Sequence, residues 1–150
     1  MKARTTLVGF AVMAAAGTVL VPASPAEAAS PLKIYKIYYD SPGTDTRTNT
    51  SLNGEYVVIK NVTTVSRSIT GWTVRDAQSH IYKFGTLSIP AGKTVTVHTG
   101  KGTNTSSQRY WGLSNYVWNN DTDKGYLRNS AGTLMYSCAY NSTAVDYKLC

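Results

Sequence analysis

The segment Asn53–Asp76, NGEYVVIKNVTTVSRSITGWTVRD, constrains the fold more than any other part of the chain. Two strand-like runs, Glu55–Asn61 and Trp72–Asp76, flank a polar, turn-rich stretch, and Gly71 directly precedes the tryptophan. Alternation with a period of two places Val57 and Ile59 on one face, then Trp72 and Val74 on one face. That is the pattern of a β-sandwich core. No run after residue 28 repeats its apolar residues at the 3.6-residue helical period. Strands are predicted over Lys33–Tyr39, Glu55–Asn61, Gly71–Asp76, His80–Phe84, Thr94–Thr99, Gly125–Asn129, Thr133–Tyr140 and Val145–Leu149. Asp40–Leu52 and Gly100–Gln108 read as polar loops, long enough to carry function. Turns are expected at Ala77–Ser79, Ile89–Gly92 and Ser130–Gly132. The expected fold is all-β. Trp72 and Trp118 are the expected anchors between the sheets, each burying on the order of 200 Å², with Tyr82, Phe84, Val95, Val97 and Leu127 around them. Trp111, which follows a polar loop, fits either a core edge or an exposed contact.

The first 28 residues have a different character. Lys2 and Arg4 precede an almost wholly apolar run, Leu7 to Val21, and Pro22-Ala23-Ser24-Pro25 then breaks any helix. Ala26-Glu27-Ala28 offers small residues two apart for cleavage, so residues 1–28 read as a secretory signal peptide. The apolar run is shorter than the roughly 20 residues that span a bilayer. The expected product is a secreted, extracellular domain over residues 29–150, with 13 basic and 7 acidic residues. Such a balance favours weak attraction to anionic polymers. Cys138 and Cys150 are the only cysteines. In an oxidising compartment they most simply form one disulfide, with two free thiols the alternative. A bridge closing so short a loop contributes roughly 2–3 kcal/mol on the loop-entropy model.

Several blocks in order carry a resemblance. They are NGEYVVIKN at Asn53–Asn61, GWTVRD at Gly71–Asp76, YKF at Tyr82–Phe84, IPAGKTVTVHTG at Ile89–Gly100 and WNNDTDKGYLRN at Trp118–Asn129, with Gly132 in the last hairpin. From about residue 34 to 140 the chain resembles the lamin tail domain family, in its secreted, bacterial, single-domain form. The resemblance implies an immunoglobulin-like β-sandwich used as an interaction module. Lamin tails bind proteins and, more weakly, DNA, and bacterial relatives accompany secreted hydrolases or nucleases. The coiled-coil rod, nuclear import signal and prenylation motif of lamins are missing here, so the filament role does not carry over. The family brings no catalytic or binding residues to transfer.

Motifs for chemistry are sparse. Asn119-Asn120-Asp121-Thr122-Asp123 invites a calcium reading, but an EF-hand loop needs Gly sixth and Glu twelfth. Those places hold Lys124 and Ser130, so a structural turn is expected, with Asn and Asp bonding nearby backbone. His80 and His98 are the only histidines and lie in no metal-ligand spacing; His98 is expected to face solvent. A small hydrolase would require His98 or Asp76 to converge with Asp121. The expectation is no enzyme, no cofactor and no metal.

Binding is the better reading. Lys36, Lys60, Arg75 and Lys83 fall in strand runs where they can face outward beside tyrosines, and Arg109-Tyr110-Trp111 follows a polar loop. Tyrosine with lysine or arginine on an exposed sheet suits carbohydrate, envelope polymer or nucleic acid. The plainer alternative is that tyrosines fill half-buried strand positions. The expected function is a non-catalytic module for an anionic polymer, either a cell-envelope polymer or nucleic acid, or for a protein surface. The alternative is an inhibitor or partner module working through the Asp40–Leu52 or Gly100–Gln108 loop.

Overall fold

A computed structural model describes residues 29–150; the signal peptide expected over residues 1–28 lies outside them. In chain order the elements are β1 (Leu32–Tyr38), α1 (Asn49–Gly54), β2 (Tyr56–Asn61), β3 (Arg67–Ser68), β4 (Thr73–Arg75) and β5 (Ile81–Lys83), followed by β6 (Ser88–Ile89), β7 (Thr94–His98), β8 (Gln108–Tyr110), β9 (Thr122–Arg128), β10 (Leu134–Asn141) and β11 (Tyr147–Leu149). A five-stranded sheet runs β11-β1-β2-β7-β8, a four-stranded sheet runs β10-β9-β4-β5, and β3 pairs with β6. All pairings are antiparallel except β7 with β8. The immunoglobulin-like β-sandwich follows from alternation. Val57, Ile59, Val95 and Val97 point inward from the first sheet, and Val74 and Leu127 from the second, all fully buried. Each such side chain contributes roughly 1.5–3 kcal/mol by leaving water.

Alternation breaks once in β1. Ile34 pairs with Ile59, but the next pair is Lys36 with Val58, so Tyr35 is the extra residue of a β-bulge. Ile34 and Ile37 both stay inside, and Tyr35 and Lys36 both turn outward. The two sheets pack tightly at Gly125. A Cβ there would lie 3.0 Å from Ile37 Cδ1, 3.1 Å from Ile34 Cδ1 and 3.4 Å from Trp118 Cη2. Trp118 is the fully enclosed tryptophan, whereas Trp72 is half-buried and packs against the core from outside. That corrects the expectation of two equivalent anchors: Trp72 precedes β4, where Gly71 at φ +76° turns the chain.

The expected Asp40–Leu52 loop is also corrected, because it ends in a helical turn. Thr48 Oγ1 caps it by accepting from the Ser51 amide at 3.3 Å, and Leu52 is buried beneath it. Asn49 and Asn53, one turn apart, both donate to the Lys101 carbonyl at 2.9 Å. Glu55, expected to open a strand, is instead the buried cap residue after the helix. The cysteines form the disulfide Cys138–Cys150, with Cα atoms 5.9 Å apart. It ties the end of β11 to β10, and so one sheet to the other.

Candidate binding face

The outer face of the five-stranded sheet carries one aromatic ring per strand in a single row. Cross-strand register pairs Tyr147 with Tyr38, Tyr38 with Tyr56, Tyr56 with His98 and His98 with Tyr110. Ring centroids along the row are 5.9, 5.2, 5.5 and 5.1 Å apart. Tyr38 is within 23° of parallel with both neighbours, and His98 within 19° of Tyr110. These stacked rings stand on edge, with faces turned to each other and rims to solvent, whereas Tyr56 and His98 meet at 56°.

Lysines stand among these rings. Lys36 Nζ lies 4.3 Å from the Tyr147 centroid, 4.9 Å from Tyr38 and 5.6 Å from Tyr56. It also donates to the Tyr56 hydroxyl at 3.3 Å. Lys33 and Lys60 both reach over Tyr35, at 5.7 and 4.9 Å. None has a carboxylate partner: among the described residues the single ion pair is His80 with Asp76, and it involves no lysine or arginine. Three of the acidic groups are withdrawn into the fold as buried Glu55, Asp76 and Asp123. Beside the ring row lies a groove of about 460 Å³, lined by Tyr35, Lys36, Tyr56, Val58, Thr94, Thr96, His98 and Gln108.

The rest of the fold holds the row in place. His98 Nδ1–H donates to the Asn53 carbonyl at 2.8 Å, and Nε2 meets the Gln108 side-chain amide at 2.7 Å. His98 is therefore half-buried and held at both nitrogens, not the free surface histidine expected. Tyr110 is backed by Gly102, where a Cβ would come within 2.4 Å of the ring. Tyr38 donates to Asp146 at 3.3 Å, and burial, then the Asp146 charge, pushes its phenol up from the usual value. The hydroxyl therefore stays a neutral donor.

The expected binding residues do not form one site. Lys36, Lys60 and Tyr110 share the outer face just described. Arg75 and Lys83 lie on the opposite sheet, where Arg75 and Lys124 each stand 5.2 Å from the Tyr126 ring. Arg109 pairs with inward-facing Val97, and its charge reaches the Tyr82 phenol. Trp111 is a core-edge residue, edge-on to Tyr82 at 5.8 Å and to Trp118 at 6.5 Å. Tyr39 is wholly buried, stacked on Tyr140 with centroids 3.9 Å apart. Sequence reading missed Lys33, Tyr56, His98 and Tyr147 as members of the face. The available signal was the Ile34–Ile37 spacing, which breaks period two and turns two consecutive residues outward.

The hydrolase candidates do not converge. His98 belongs to the five-stranded sheet, whereas Asp76 pairs with His80 Nδ1 at 2.5 Å at the end of β4. Asp121 accepts from the neighbouring Thr122 amide at 2.7 Å. Asp123 does approach Asp76. It accepts from the amides of Ala77, Lys124 and Asn119, and the Gln78 amide bridges both carboxylates at 3.0 and 3.1 Å. Burial raises the Asp123 carboxyl, and these amides offset part of that rise. The cluster is a braced turn. No group of three or more His, Cys, Asp or Glu suited to a metal occurs among the described residues. The Asp40–Leu52 and Gly100–Gln108 segments hold none of the large exposed apolar side chains, so they lack a hydrophobic anchor for a protein target.

Two facing sheets with short hairpins and register shifts in β1 and β10 define an immunoglobulin-like β-sandwich. Residues 25–142 match the family model described as Lamin Tail Domain, and the chain belongs to that family of non-catalytic domains. No curated protein matches the chain. The matched stretch stops short of β11, so Tyr147 and Cys150 lie outside it.

Proposed function

We propose that this lamin tail domain is a secreted, non-catalytic module that holds an anionic polymer against the outer face of its five-stranded sheet. The observation that supports it is the trio Lys33, Lys36 and Lys60, set among tyrosines with no carboxylate to neutralise them. A cation held over ring faces keeps its charge and gives up side-chain freedom in advance, so less is lost when an anion arrives. Arg75 and Lys83, on the other sheet, serve as internal controls.

The test is a salt titration of binding to long-chain polyphosphate, followed by fluorescence anisotropy. Affinity should fall linearly on a log–log plot, and Lys36→Ala and Lys60→Ala should each reduce the slope by about 1. Arg75→Ala and Lys83→Ala should leave it near the parent value. Salt-insensitive binding, or a loss that follows Arg75 and Lys83 instead, overturns the proposal.

A further inference from the structure

The same face discriminates between kinds of polyanion, an inference that rests on the reading just proposed. Polymers with bases or other flat rings bind proteins by stacking on free aromatic faces. Here the faces inside the row are taken, while Tyr147 at its end and Tyr35 beside it stay partly exposed. Tyr38 has Tyr147 on one side and Tyr56 on the other, and His98 lies between Tyr56 and Tyr110. Tyr35 has the ammonium groups of Lys33 and Lys60 over its ring, and Tyr110 is backed by Gly102. What the face offers solvent is ammonium groups, phenol rims and the groove. Three rings line the groove, Tyr35, Tyr56 and His98, but Tyr35 lies under two ammonium groups and the other two sit within the row. Thr94, Thr96 and Gln108 bring hydroxyl and amide groups beside Val58 and Lys36. This is a set of donors for phosphate oxygens, next to partners for alcohol groups. Asp146, bonded to Tyr38, places one negative charge at the β11 end, so the anionic chain runs along the Lys36–Lys60 side.

We infer that the occupant is a hydroxyl-rich phosphate polymer without aromatic rings, a polyol or sugar phosphate, lying in the groove between Tyr35 and the ring row. Its phosphates meet Lys36 and Lys60, and its hydroxyls meet Thr94, Thr96 and Gln108. Nucleic acid carries the same phosphate charge but finds no ring face inside the row to stack on, only Tyr147 at its end and Tyr35 beneath two ammonium groups.

The deciding experiment compares poly(glycerol phosphate) with oligo-dT of equal phosphate number, against the full-length protein at one low salt concentration. The polyol polymer should bind about tenfold tighter, the scale of one or two well-made hydrogen bonds. Thr96→Val, which keeps the β-branched shape, should weaken that polymer by about threefold to tenfold and leave oligo-dT unchanged. Lys36→Arg should retain binding of both. Oligo-dT binding as tightly as the polyol polymer, or a Thr96→Val variant that behaves like the parent, overturns the inference while leaving a charge-driven module standing. Failure of both polymers to bind removes the polyanion reading itself.

Discussion

Glu55 closes α1 from inside the protein, and no part of it reaches solvent. Oε1 accepts from Thr99 Oγ1 at 2.5 Å and from the Val117 amide at 2.8 Å, while Oε2 has no partner. Burial outweighs those hydrogen bonds and raises the carboxyl to about 7, from an ordinary value of 4.5. Between those two values the folded state binds a proton that the unfolded chain has released. Stability therefore falls as pH rises from about 4.5 to 7 and levels off above that. The whole effect is on the order of 3 kcal/mol. Urea denaturation at pH 5 and pH 8 should show it in the parent, and Glu55→Gln should flatten the difference. Asp40 and Asp123 are raised by burial too, so the parent-minus-variant difference isolates Glu55. Equal pH dependence in both proteins would reject this role. The sequence reading placed Glu55 in a strand, because a buried carboxylate leaves no local pattern. Asn61 is similar: nothing local marks it as interior, yet its side chain is fully buried and donates to the Val65, Ile89 and Pro90 carbonyls.

Strands with strong alternation were legible, and the elements held by distant contacts were not. A helix of six residues is far below the length that is stable alone. Its Asn49 and Asn53 clamps reach Lys101, some fifty positions away along the chain, which no local window contains. The bulge at Tyr35 was written in the apolar spacing, but its consequence depends on register with β2. Only register lines up Tyr38, Tyr56 and His98, which are scattered in sequence. β11 is, with β8, one of the two shortest strands in the row, with three paired residues, and its far end is fixed by the disulfide. Replacing both cysteines by serine should cost roughly 2–3 kcal/mol. It should also release Tyr147, lowering the near-ultraviolet tyrosine dichroism in the folded state. Unchanged dichroism would mean that strand pairing alone holds β11.

For the molecule as a whole, the sandwich was predictable because two-residue periodicity and one burial constraint leave few arrangements. Which of its two faces binds was not, because Lys36 and Arg75 look alike until the sheets are assembled. The sheets depend on each other through Gly125. Gly125→Ala drives a methyl against Ile34, Ile37 and Trp118 at once, and should destabilise by about 1–3 kcal/mol. Thermal melts followed at both tyrosine and tryptophan signals should shift together, as a cooperative unit requires. A shift in one signal only would show that the sheets melt separately.

The distribution of chromophores follows from the same architecture. Trp72, Trp111 and Trp118 are in the core or packed against it, and none lies on the ring row. The row itself is four tyrosines and a histidine. Indole emission thus monitors the integrity of the interior, while the phenol signal sums the row with buried rings such as Tyr39 and Tyr140. The partition runs in one direction: occupancy of the face perturbs phenols and leaves the indoles untouched, whereas unfolding perturbs both.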